Sequence, residues 1–392
     1  MKRIFLYGVL LCAFYFSGIT SALACKWDYD TLKMEQQRFP GTLQLLSGKF
    51  LRHSKDFYKW RIQNRLEKLK KNPDKLSYYD DIAAAFDSIG QPQKGIEWML
   101  KKEKKKPGLY ETYANLGTFY IHNKQLKKGL GYIKKAIKIN PNAHFGREIY
   151  QAYLVEYILF LTKGGKLSFP LSKLLEKKQK EKPQTEMQKW MKDKFAGEGF
   201  SIFLRAKNKD WRSYKQWDAQ RGKAIKGVLG MMRFGNFRSP VLLEALGDLL
   251  GSRGNNDAKR MAARAYLHAS FEVKDAAVKK LYIKKAKQAL SMQANNPDDG
   301  NQLTLKELHK DYQNEIAEGE AWFAKIKKDE QEWIKKKLNP EKEYDKKYYK
   351  KPILKAAPLN KRGAFALSHL MLLLGVGLFI ILAFIGMRVA RP

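Results

Sequence analysis

YETYANLGTFYIHNKQLKKGLGYIKKAIKINPNA, residues Tyr110–Ala143, is the stretch from which the rest of the chain is read. Tyr113, Leu116, Gly117 and Tyr120 recur at helical spacing, and so do Gly129, Ile133 and Ala136 after a short polar break. Gly117 and Gly129 let two backbones approach closely, the aromatic rings fill the space between the helices, and Pro141 stops the second helix. The stretch predicts two antiparallel helices.

The preceding 34 residues, Leu76–Leu109, align with it without a gap. Tyr79, Ile82, Ala83, Phe86, Gly95, Met99 and Pro107 take the matching positions, and Pro73, Pro107 and Pro141 follow one another at that same interval of 34. In period and residue pattern these two stretches resemble the tetratricopeptide repeat (TPR) family. The resemblance implies an all-α, TPR-like helical-hairpin solenoid with divergent repeats. It also implies a function in which another protein or peptide is bound and nothing is catalysed. In such arrays the first helix of each repeat lines a concave groove and the second faces outward. On that geometry the groove takes Asp80, Asp81 and Asp87 from one repeat, and Glu111, Ala114, Asn115, Thr118 and His122 from the next. The outer helices carry Lys101, Lys102, Lys104, Lys105 and Lys106, then Lys127, Lys128, Lys134, Lys135 and Lys138. The expectation is a neutral-to-acidic groove on a basic back, suited to a basic or apolar peptide. The plainer alternative makes these aspartates ordinary solvated helix positions.

Away from the repeats the signal varies. Residues 1–24 read as a secretory signal peptide: Lys2 and Arg3, an apolar run, then Ala22-Leu23-Ala24 as a cleavage site. Cys25 follows directly, which raises lipidation of a new N-terminal cysteine, although Ala22 stands where a lipobox prefers Leu. After cleavage no second cysteine remains to pair with it. Residues 25–75 form an entry and capping segment with a repeat-like helix opened by Ser54, and 76–143 hold the two repeats. Residues 144–237 are a divergent helical region with a basic loop at 162–183; its aromatic stripe reads as core, and Trp211 and Trp217 are expected to be buried. Residues 238–301 read as degenerate repeat helices opened by Ser239-Pro240, with Gly247 in the close-packing position.

A capping box, Thr304 with Glu307, opens a long charged helix over 302–338. Leu305, Tyr312, Gly319, Ile326 and Trp333 recur every seven residues along it. That seam suits a homodimer through 305–333, or a helix capping the array, and Gly319 favours the cap. Residues 339–362 read as a linker. From 363 to 387 the chain has no charged residue, and at 1.5 Å per residue roughly 36 Å of helix is enough to span a bilayer. Residues 388–392 are a short tail. The basic flank before the span would keep the repeats inside the cell, whereas the leader would export them. Large domains translocate largely regardless of charge, so the expectation is a single-pass membrane protein with extracytoplasmic repeats and a cytoplasmic tail.

The net charge of +37 implies attraction to anionic lipid or polymer. Nucleic acid fits less well, because the lysines are spread along the chain and not gathered into one arm with interleaved aromatics. His53, His122, His144, His268 and His309 are scattered with no ligand spacing, and no nucleophile stands beside a base. The expectation is therefore no metal, no cofactor and no catalysis. The alternatives are a basic surface protein that binds anionic polymer, lipid or nucleic acid, and an enzyme with an unrecognised site in 187–237.

Overall fold

The computed structural model describes residues 26–35, 37–162, 167–172, 199–207, 213–253, 255–292 and 303–349. The leader, Cys25, Trp211 and the apolar run at 363–387 lie outside the described residues. Every regular element among the described residues is helical, as expected. None of these helices is long and apolar enough to cross a membrane.

The entry segment forms α1 (Tyr29–Glu35), α2 (Thr42–Leu46) and α3 (Lys55–Lys71). Ser54 caps α3, its hydroxyl accepting the Phe57 N–H at 3.3 Å. Two hairpins follow, α4 (Leu76–Ser88) with α5 (Pro92–Lys105), and α6 (Tyr110–His122) with α7 (Leu126–Ile139). All four boundaries of the second hairpin lie 34 residues after those of the first. Each second helix ends two residues before its proline, since the residue preceding proline is driven out of helical conformation. The close approaches are where the glycines stand. A Cβ on Gly129 would sit 2.8 Å from the Gly117 carbonyl oxygen, and one on Gly95 would sit 2.9 Å from that of Ala83, the same contact one repeat earlier. Tyr120 and Tyr132 stack across the second hairpin with ring centroids 5.4 Å apart.

The chain continues through α8 (Arg147–Thr162), α9 (Gly199–Lys207) and α10 (Tyr214–Met231), which runs into a π-helical turn at Met232–Asn236. Tyr150, Tyr157 and Trp217 are buried here, as the aromatic spacing anticipated. Next come α11 (Pro240–Gly251) and α12 (Asn256–Glu272), again a hairpin, with a Cβ on Gly247 meeting the Tyr266 ring at 2.5 Å. Pro240 opens α11 as expected, but Ser239 makes no side-chain cap bond. Then follow α13 (Ala276–Ser291), the long α14 (Leu305–Lys335) and α15 (Pro340–Tyr348). Successive helices pack on one another in chain order from α3 to α8 and from α10 to α13.

One expectation changes, and of the two readings of the α14 seam the cap, which Gly319 favoured, is the one found. The heptad seam of α14 is used within the chain. Tyr312 and Ile326 are buried, the Tyr312 hydroxyl donates to the Leu46 carbonyl at 2.9 Å, and a Cβ on Gly319 would lie 2.1 Å from the Ser47 carbonyl oxygen. The helix lies across α2 and α3 as a cap, so those residues are not free to meet a second copy. In addition, the stretch read as a linker contains α15, which Asn339 caps and whose Tyr344 is fully buried.

Candidate binding face and adjoining cavity

The first helices of the two hairpins bring Asp80, Asp81, Asp87, Asn115, Thr118 and His122 onto one side. That side is not an open groove. All six are buried, and Glu111 is half-buried. The chain's own residues 26–29 lie across them. Asn115 accepts the Trp27 N–H at 2.8 Å through Oδ1 and donates to the Trp27 carbonyl at 2.9 Å through Nδ2. One side-chain amide thus holds both polar groups of one residue's backbone, the way an extended strand is gripped. Asp81 accepts the Tyr29 N–H at 2.9 Å and the Arg65 Nε–H at 2.7 Å. Asp87 pairs with Lys26 Nζ at 2.8 Å and with His122 Nδ1 at 2.6 Å. The Trp27 ring stands edge-on to Tyr110, 5.6 Å between centroids.

Charge follows from these pairings. Burial pushes the Asp87 carboxyl up, but His122 and Lys26 outweigh it and hold the group well below the usual carboxylate range. Asp80 pairs with Lys102 Nζ at 2.6 Å, and there burial wins, raising it to about 7. Lys102 is therefore not part of the basic back where its place on α5 put it; it turns inward and is buried. Lys101, Lys104, Lys105, Lys106, Lys127, Lys128, Lys134, Lys135 and Lys138 are exposed on the outer helices as expected. Thr118 receives a hydrogen bond from Gln151 Nε2 at 3.2 Å, so α8 covers the far end.

The degenerate hairpin repeats the arrangement with different residues. Glu244 accepts the backbone N–H groups of Leu171 and Ser172 at 2.8 and 2.9 Å, and Asp248 accepts that of Phe200 at 2.9 Å. Lys285 Nζ bridges the two carboxylates, 3.5 Å from Glu244 and 3.0 Å from Asp248. Here too the chain's own backbone lies on the first helix of a hairpin. Nothing in the local pattern flagged Glu244 or Asp248; an acidic residue inside the apolar run Val241–Leu250 was the available signal.

Beside the N-terminal segment lies a cavity of about 810 Å³. Its polar lining includes Asp28, Asp30, His53, Asp87, His122 and Arg233. His53 sits between two carboxylates, Nδ1 2.6 Å from Glu330 and Nε2 3.2 Å from Asp30. Burial lowers its affinity for the proton, but those carboxylates prevail and raise it to about 9. Both ring nitrogens are thus engaged, and His53 is a charged strut. Asp30 also takes Arg61 at 2.5 Å, which in turn reaches Glu341 on α15 at 2.8 Å. Among the described residues the Asp28 carboxylate accepts only the Thr31 N–H, at 2.8 Å, and burial together with neighbouring Asp30 lifts it to about 6. Among the described residues no group of three or more His, Cys, Asp or Glu is placed to hold a metal ion.

No protein-family model matches this chain, and no curated protein is similar to it in sequence.

Proposed function

We propose that this chain is a membrane-anchored adaptor built on TPR-like repeats. It is exported by the leader at residues 1–24, held by the apolar run at 363–387, and engages an extended segment of another protein through the first helices of its hairpins. The observation that carries this reading is the double hydrogen bond between Asn115 and the Trp27 backbone. A side chain that satisfies both the N–H and the C=O of one residue recognises extended backbone whatever its side chains, as strand-addition sites do. Residues 26–29 are then the occupant in cis, and a partner competes with them for the same groups. The neighbouring Asp87–Lys26 pair favours a partner with a basic residue at that place. The 34-residue repeat and the glycine contacts between α4 and α5, and between α6 and α7, support the TPR-like architecture.

The test weakens the occupant without touching the face. Full-length protein carrying Trp27→Ala, with a photoreactive residue in place of the half-buried Glu111, is crosslinked in cells. Its capture of a given partner should exceed that of the otherwise unchanged protein by about tenfold, which corresponds to about 1.4 kcal/mol of relieved competition. The same probe at Lys104, on the outer helix, should show no rise. Equal capture with and without Trp27 would sink the reading.

A second reading rests on the exposed lysines of α5 and α7: the outer face binds anionic lipid or polymer. Several of these lie over aromatic rings, Lys101 over Trp98 at 4.4 Å and Lys128 over Tyr120 at 4.2 Å, which holds their charge outward along one surface. Binding of that kind is strongly salt-dependent and shows little selectivity among partners.

A further inference from the structure

Arg233, on the π-helical turn after α10, lines the cavity and is only 7% exposed. Its Nη2 donates to the Met34 carbonyl at 2.8 Å, while its Nη1 is buried with no hydrogen-bond partner. Among the described residues no carboxylate lies within ion-pair distance of it, and its guanidinium stands 5.1 Å from the Phe234 ring centroid. Burial draws its pKa down to about 10, against a weaker opposing pull from Tyr349 and Glu35. A buried guanidinium in this state is costly relative to a paired one.

Arg52, which is half-buried, lines the same cavity. It gives hydrogen bonds to the Gly48 and Phe50 carbonyls, has no carboxylate partner among the described residues, and its guanidinium is 3.7 Å from the Phe323 centroid. The acidic groups of the cavity are committed elsewhere. Asp30 holds Arg61 and His53, Asp87 holds Lys26 and His122, and Asp56 takes Gln331 at 2.8 Å. Asp28 lies among Asp30, Arg61 and Asp81, on the α3 and α4 side. Lys55, Lys59 and Lys327 are exposed lining residues, so the approach to the cavity is positive. Phe50, Phe234 and Phe237 supply apolar wall. The volume is that of a small-molecule site.

We propose that this cavity binds a small organic anion, whose carboxylate or phosphate group is held by the free Nη1 of Arg233, with Arg52 lining the same cavity, and whose apolar part rests on Phe234 and Phe237. A planar guanidinium with open donors recognises an oxyanion of this kind. The arginines of this site lie outside the two hairpins, while the cavity shares Lys26, Asp87 and His122 with the adaptor face.

Phenyl phosphate, benzoate and neutral benzyl alcohol are titrated into the full-length protein by calorimetry at physiological ionic strength. At least one of the two anions should bind saturably at one site, and benzyl alcohol should not bind; the tighter anion identifies the head group. Arg233→Met should weaken that binding by about tenfold or more, the scale of a lost charge-assisted hydrogen bond, and Lys104→Gln should leave it unchanged. Hydrogen exchange of the unsubstituted protein keeps the test decisive should Arg233→Met fail to fold. The bound anion should slow exchange in residues 48–53 and 231–238. Non-saturable binding by both anions, the same affinity in Arg233→Met, or slowing confined to α5 and α7 would overturn the proposal.

Discussion

Gly129 and Gly131 stand two residues apart on α7 and face opposite surroundings. A Cβ on Gly129 would meet Ile121 Cγ1 at 2.6 Å and the Gly117 carbonyl oxygen at 2.8 Å; a Cβ on Gly131 would meet nothing within 4 Å. Backbone cannot yield as a flexible side chain does, so Gly129→Ala is expected to lose about 1–3 kcal/mol. Gly131→Ala should gain about 0.5–1 kcal/mol from helix propensity alone. Urea unfolding followed by helical circular dichroism distinguishes the two; similar values would mean that the hairpin does not close on Gly129. The 34-residue period pairs Gly129 with Gly95 and Gly117 with Ala83, small residues at matched positions, whereas Gly131 falls opposite Glu97. The state of the acidic residues was not legible in the sequence. Asp80, Asp81 and Asp87 read alike as polar positions on a first helix, yet burial leaves Asp80 at about 7 while His122 and Lys26 hold Asp87 well below the ordinary range. Charge reversal at Asp80 or Asp87 therefore breaks internal ion pairs before it tests any partner.

At the scale of the element, α14 shows what periodicity leaves open. A seven-residue recurrence of apolar positions is the same whether the partner helix belongs to another copy or to the chain itself. Gly319 carried the deciding hint, because a coiled-coil seam gains nothing from a missing side chain while a crossing over backbone requires one. The crossing is over Ser47. Gly319→Ala is expected to lift α14 from α2 and to cost about 1–3 kcal/mol. Hydrogen exchange should then quicken in residues 305–326 and 42–50 while α6 and α7 stay protected; unchanged exchange in α14 would show that the cap does not depend on that approach. α15 was missed for a different reason. Its Lys, Glu and Tyr content looks like linker, and its burial comes from Tyr344 against His53 and Phe57, residues far away in the chain.

Across the whole molecule, α1, α3, α14 and α15 are joined through Asp30, Arg61, His53, Glu330 and Glu341. His53 makes that junction sensitive to alkali. Its folded pKa of about 9 lies above the ordinary value of 6.5, so the folded state binds more protons between the two. Its stabilising contribution is full below about pH 6.5 and is lost as pH rises through about 9, a change on the order of 3 kcal/mol. Thermal melts from pH 6 to 9.5 should fall for the unsubstituted protein and stay flatter for His53→Gln. Parallel curves would remove His53 from the junction. Asp28, raised to about 6, acts over a lower window: the folded state favours its neutral form, so stability declines as pH rises from about 4 to 6.

By itself the amino-acid sequence determined that the chain is helical, that it contains hairpins 34 residues apart, and which glycines close them, because these depend on contacts between residues near in sequence. Only the tertiary structure decided what lies on the inner side. The bonds that fill it join Trp27 to Asn115 and Leu171 to Glu244, across 88 and 73 residues, and no local pattern encodes which distant backbone a buried amide or carboxylate will meet. The same holds for Arg233. Its residue type is plain in the sequence, but that no carboxylate among the described residues pairs with it is a property of everything that packs around it.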